Sequence, residues 1–122
     1  MPKKILVIDD ERDLVETLKF RLDAAGYEVH AAYDGQEGLK KTRDVIPDLI
    51  ILDVMMPALD GYQVCRMLKF DAKYEDIPII MLTARGQDSD KATGGEVGAD
   101  IYLTKPFESS VLMEKIKKLL DD

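Results

Sequence analysis

Five short apolar runs punctuate the chain: "KILVID" (4–9), "YEVHAA" (27–32), "DLIILD" (48–53), "IPIIMLT" (77–83) and "IYLT" (101–104). Three of them are apolar without strict alternation, the pattern of strands buried on both faces of a parallel sheet. The segments between them change period. Leu14, Leu18, Leu22 and Ala25 recur at helical spacing, with Gly26 placed to end that helix. Leu39 predicts the inward face of a second helix, Val64 and Leu68 that of a third, and Leu112, Ile116, Leu119 and Leu120 form the stripe of a last one. A further helix, fourth in order, is expected over 88–98. It should be short or mobile, because Gly94 and Gly95 each cost about 1 kcal/mol relative to alanine in a helix interior.

Five strands alternating with five helices predict an α/β fold: a doubly wound, five-stranded parallel sheet with helices on both faces. No repeat, linker or low-complexity tract interrupts the pattern, so residues 1–122 are expected to form one domain.

Such a fold gives the strand ends a meaning. In a parallel sheet the C-terminal ends share one edge, and ligands bind there where the strand order reverses. Asp9 and Asp10 close the first run, Asp53 the third and Thr83 the fourth, while Lys105 follows the fifth. With the first and third strands adjacent, three carboxylates would face a hydroxyl and an ammonium. Two unit charges about 4 Å apart repel by about 4 kcal/mol at an effective dielectric of 20. The cluster would then strain the fold or raise a carboxyl pKa unless a cation joined it. Mg²⁺ prefers oxygen ligands, takes one or two carboxylates and leaves positions for phosphate oxygens. The same groups suit phosphoryl transfer, with Asp53 as the nucleophile that becomes an aspartyl-phosphate.

Singly, each residue has an ordinary explanation. Asp10 reads as the N-cap of the first helix, Glu11 as a first-turn acid and Thr83 as a β-former. Asp53 reads as a solvated strand end, Lys105 as a loop charge and His30 as structural or exposed. Joint placement on one sheet edge is what points to chemistry. The glycine-rich alternatives fail, since neither a G-x-x-x-x-G-K-[ST] loop nor a G-x-G-x-x-G after the first strand is present.

Composition narrows the partners. Hydrophobic residues at 46% and charged residues at 34% are those of an ordinary globular protein. A net charge of −7 argues against this domain itself holding nucleic acid or an anionic membrane. The single cysteine, Cys65, excludes an intrachain disulfide and fits a reducing compartment. The first apolar run stops at Asp9, too early for a leader, and no run approaches the ~18 residues of a membrane span. A cytoplasmic protein is expected.

In "ILVIDDE", "DLIILDVMMPALDGYQV", "IPIIMLTA" and "GADIYLTKPF", in order and over essentially the whole chain, the sequence resembles the receiver domain of two-component response regulators, of the chemotaxis-receiver kind. The resemblance implies the flavodoxin-like strand order 2-1-3-4-5. It implies that Asp53 is the phospho-acceptor, charged from the phosphohistidine of a sensor histidine kinase or histidine phosphotransfer protein. Asp9, Asp10 and Asp53, with the backbone carbonyl of Met55, would hold Mg²⁺. Thr83 and Lys105 match the phosphate-sensing pair, and Lys105–Pro106 matches a bond that is cis in the family. Ala84 matches the small residue whose backbone N–H faces the phosphoryl group. Tyr102 matches the switch aromatic, which turns inward when Thr83 moves toward phosphate. The movement remodels the face of the fourth helix, fifth strand and fifth helix that a downstream effector or output domain reads.

Such a domain catalyses only its own phosphorylation and dephosphorylation and transforms no separate metabolite. Two positions depart from the family pattern. Ile101 stands where members that dimerise through that face by salt bridges carry an acid, and Gly94-Gly95 replaces Gly-Leu. Rival readings are a Mg²⁺-dependent phosphohydrolase of the haloacid-dehalogenase type, which wants an acid where Met55 stands, and a flavin carrier, which does not want acids at these strand ends.

Overall fold

The computed structural model of the chain describes residues 2–84 and 98–121. Along these the elements are β1 (Lys4–Ile8), α1 (Arg12–Ala24), β2 (Glu28–Ala32), α2 (Gly35–Val45), β3 (Leu49–Asp53), α3 (Gly61–Lys69), β4 (Ile79–Ala84), β5 (Ile101–Lys105) and α4 (Ser109–Leu120). The helix expected over 88–98 falls, but for its last residue, outside the described residues, and so do Gly94 and Gly95.

The strands form one parallel sheet in the order β2-β1-β3-β4-β5. Its three inner strands bury both faces, which is why their sequences do not alternate. Leu6 and Ile8, Ile50 and Leu52, and Ile79 and Met81 point to one face, where Leu39 of α2 and Val64, Cys65 and Leu68 of α3 cover them. Ile5 and Val7, Leu49 and Ile51, and Ile80 and Leu82 point to the other, under α1 and α4. Fully burying one such side chain contributes about 1.5–3 kcal/mol, so the two layers hold the strands in fixed register.

Caps and turns set where the helices begin. Asp60 accepts from the Gln63 N–H at 2.9 Å while the Gln63 side chain accepts from the Asp60 N–H, a reciprocal box at the start of α3. Asp34 caps α2 through the Glu37 N–H at 2.8 Å. Helix α1 ends at Ala24 with Ala25 as its C-cap, followed by Gly26 at φ +96°, a left-handed position that glycine takes without penalty.

Two expectations for α1 need correction. Its buried stripe is Val15, Leu18 and Leu22, while Leu14 is half-buried and Ala25 is exposed. The helix stays packed through Leu22 in its last turn, and Ala25 lies beyond its last residue, as the C-cap, where the chain is already turning away. Asp10 is not the N-cap: Glu11 occupies that position, with extended backbone and no side-chain cap.

Candidate functional site

The sheet edge carries the chemistry because register aligns the strand ends. Ile8 stands opposite Leu52, so Asp9 and Asp53 leave neighbouring strands at the same level. Asp53 pairs with Leu82, one residue before Thr83, and Ala84 pairs with Lys105. Lys105 is the last residue of β5 rather than the first beyond it. The Lys105–Pro106 bond is cis, as the resemblance implies.

Local backbone bonds then aim the acids. The Asp9 N–H continues the sheet onto the Ala32 carbonyl at 3.1 Å, and its side chain accepts from the Glu11 N–H at 3.0 Å. Beyond Asp53, the Val54 N–H donates to the Leu82 carbonyl and the Gly61 N–H donates to the Val54 carbonyl, both at 3.0 Å. Gly61 lies so close that a Cβ there would sit 2.2 Å from the Asp53 carbonyl oxygen. Only glycine permits the start of α3 to pack against the end of β3 in this way.

Asp9, Asp10 and Asp53 converge. One oxygen from each lies within 4.8 Å of the others. Asp9 and Asp53 are buried and Asp10 is exposed, so the cluster is half roofed by protein and half open to solvent. Thr83 is buried at the same edge, and Ala84, next along, is exposed. The Met55 side chain is exposed, while its backbone N–H donates to the Asp53 carboxylate.

Lys105 reaches inward to three carboxylates. Its Nζ lies 3.0 Å from Asp9 Oδ2, 2.9 Å from Glu11 Oε1 and 3.2 Å from Asp53 Oδ1. Burial nonetheless raises the Asp9 carboxyl above its ordinary range, against the opposing pull of the Glu11 N–H and Lys105. Burial and the Asp9 charge push Asp53 up to about 6, with Lys105 and the Met55 N–H pulling the other way. Burial by itself would lower Lys105, but Glu11 and Asp9 outweigh it and the ammonium is held more firmly charged than usual. One ammonium therefore stabilises itself without relieving both buried acids. The residual negative charge, carried on oxygen donors alone, suits a hard divalent cation.

Glu11 is the residue that sequence reasoning undervalued. A third consecutive acid at the end of the first run was its only signal, and that signal equally fits a helix first turn. Tyr102 lies half-buried on β5 opposite Met81, packed against the α2–α3 side of the core. Its hydroxyl is buried and makes no hydrogen bond among the described residues. Burial pushes it up to about 12, with Cys65 and Tyr62 adding to the rise and the nearby Ala99 backbone opposing it. Ile101 is half-buried beside the opposite core layer, an apolar use for a position that the family pattern gives to an acid.

The chain matches a family model, that of the response regulator receiver domain, over residues 5–117. The chain belongs to the response regulator receiver domain family. This receiver domain is 48% identical over 120 residues to the alkaline phosphatase synthesis transcriptional regulatory protein PhoP of Bacillus subtilis, covering 98% of the chain and 49% of that protein. It is 52% identical over 118 residues to a probable transcriptional regulator, ycf27, of Cyanophora paradoxa, covering 97% of the chain and 48% of that protein. The receiver domain thus spans about half the length of these curated relatives. Among solved structures, the chemotaxis protein CheY4 of Vibrio cholerae superposes with a TM-score of 0.92 at 34% identity, over 98% of this chain and 100% of that one. The implied strand order 2-1-3-4-5 is the observed one. No helix among the described residues is long and apolar enough to cross a membrane.

Proposed function

We propose that residues 1–122 form one phospho-acceptor receiver that takes a phosphoryl group on Asp53 from the phosphohistidine of a sensor histidine kinase or a histidine phosphotransfer protein. A single observation carries the reading: Asp9, Asp10 and Asp53 bring oxygens within 4.8 Å of one another at the sheet edge, where Lys105 also arrives. Asp9, Asp10, Asp53 and the Met55 carbonyl would hold Mg²⁺, whose chemistry there is neutralisation of charge on the phosphoryl oxygens.

An Asp53 carboxylate oxygen attacks phosphorus, the phosphorus–nitrogen bond of the donor breaks, and the electron pair leaves on the imidazole nitrogen. A carboxyl held at about 6 is mostly ionised at neutral pH and ready to attack. The Thr83 hydroxyl and the Ala84 N–H donate to the transferred oxygens. The Lys105 ammonium exchanges a carboxylate for one of them. Tyr102 already has its hydroxyl buried, and Thr83 moving toward the phosphoryl group would favour that position. The altered surface around β5 and α4 then engages a downstream effector or an output domain.

The domain acts on no separate metabolite, and the exposed Met55 side chain stands where a phosphohydrolase of the haloacid-dehalogenase type wants its second acid. The net charge of −7 favours protein partners over nucleic acid or membrane, and the activity belongs to the cytoplasm. Incubation with Mg²⁺ and a small phosphodonor, followed by intact mass, tests the proposal. Wild type should gain one phosphoryl group and Asp53→Asn none. Modification persisting in the variant would move the acceptor elsewhere.

A further inference from the structure

The three partners of the Lys105 ammonium are not equivalent. Asp9 and Asp53 are buried and belong to the acid cluster, whereas Glu11 stands outside it, with 62% of its side chain exposed. Lys105, itself only 18% exposed, donates to Asp9 at 3.0 Å and to Glu11 at 2.9 Å, and pairs with Asp53 at 3.2 Å. An ammonium has three N–H groups, and two of them are committed to Asp9 and Glu11, with Asp53 held beside them as an ion pair. Lys105 therefore sits as an internal cation against two of the acids that a divalent ion would need.

The two cations compete. At equal separation, the repulsion between an ammonium and a divalent ion is twice that between two unit charges. An ion on Asp9 draws that carboxylate away from Lys105, and the ammonium, mostly enclosed by protein, then needs another acceptor for the N–H it had donated there. Glu11 is the one partner that is free to keep it. Its backbone is tied to the cluster by the N–H donated to Asp9 at 3.0 Å, so the carboxylate stays within reach throughout.

We infer that Glu11 is a positioning residue for cation exchange: it holds the Lys105 ammonium at the rim while a divalent ion takes Asp9 and Asp53. This rests on the Mg²⁺ reading above and adds a role that acts through Lys105 rather than on the ion. Loss of the Glu11 charge costs the metal-free form less, because Asp9 and Asp53 still hold Lys105. In the ion-bound form the same loss leaves the ammonium with one carboxylate that it shares with the ion.

A double-mutant cycle tests this, with Mg²⁺ affinity read from the amide shifts of Val54 and Met55 during titration with MgCl₂ at about 0.15 M salt, where exposed charges more than ~8 Å apart are largely screened. Glu11→Gln should weaken binding about five-fold in the wild-type background. In a Lys105→Met background, which should itself bind Mg²⁺ more tightly, the same substitution should change affinity by less than about two-fold. An equal or larger effect without Lys105 overturns the inference, because Glu11 would then act on the ion directly as a bare charge. Wild type that shows no saturable shift overturns the Mg²⁺ reading and the inference together. Preserved amide dispersion in each variant establishes that the comparison is between folded proteins.

Discussion

Replacement of Asp53 by asparagine should make the metal-free protein more stable, although it removes a side chain with an ion-pair partner. The carboxyl is held at about 6 in the fold, chiefly by burial and next by the charge of Asp9. In an open chain the same group titrates near 3.9. Ionising it in the fold rather than in the open chain therefore costs about 3 kcal/mol. Between those two pH values the folded state holds a proton that the unfolded state has lost, so stability falls as pH rises through that window. The penalty is absent below about pH 4 and complete above about pH 6 to 7.

Asparagine is isosteric, stays neutral throughout and still offers an oxygen to Lys105, whose other carboxylate partners Asp9 and Glu11 remain. We expect Asp53→Asn to gain about 1–3 kcal/mol at pH 7.5 in the presence of EDTA, or roughly 4–12 °C in Tm for a domain of this size. Urea unfolding of both proteins at pH 7.5 and near pH 4 reads the effect. Acids away from the cluster titrate alike in the two proteins and cancel, so the difference between them reads position 53 together with its coupling to Asp9. The gap should close toward pH 4 and shrink when saturating Mg²⁺ is added, because an ion that binds the native wild type stabilises it. A variant less stable than wild type at pH 7.5, or a gap indifferent to pH, would refute the reasoning.

Two further outcomes follow from the packing around the site. Gly61→Ala places a Cβ 2.2 Å from the Asp53 carbonyl oxygen and 2.8 Å from the Val54 Cα, backbone atoms that cannot swing aside. It should cost about 1–3 kcal/mol in urea unfolding, and an unchanged midpoint would show that the α3–β3 approach tolerates a methyl group. Tyr102→Phe deletes a buried hydroxyl that makes no hydrogen bond among the described residues, so stability should hold or rise by up to about 1 kcal/mol. A thermal melt showing a loss larger than that would reveal a partner for the hydroxyl.

Local pattern decided much of this molecule. The apolar runs ending at Asp9, Asp53 and Thr83 became strands because only a sheet covered on both faces buries every side chain of such a run. The stripe of Leu112, Ile116 and Leu120 became the inward face of α4 for the same reason at helical period. Family resemblance, not periodicity, supplied the strand order, since nothing local says which strand ends are neighbours. Tertiary structure decided the rest. It chose Val15 over Ala25 for the core, because docking angle and not spacing sets where a helix meets a sheet. It gave Glu11, and not Asp10, the N-cap position, and brought Glu11 to a lysine 94 residues away. It also raised Asp53, because burial and the approach of Asp9 depend on segments far apart in the chain that no sequence window contains together.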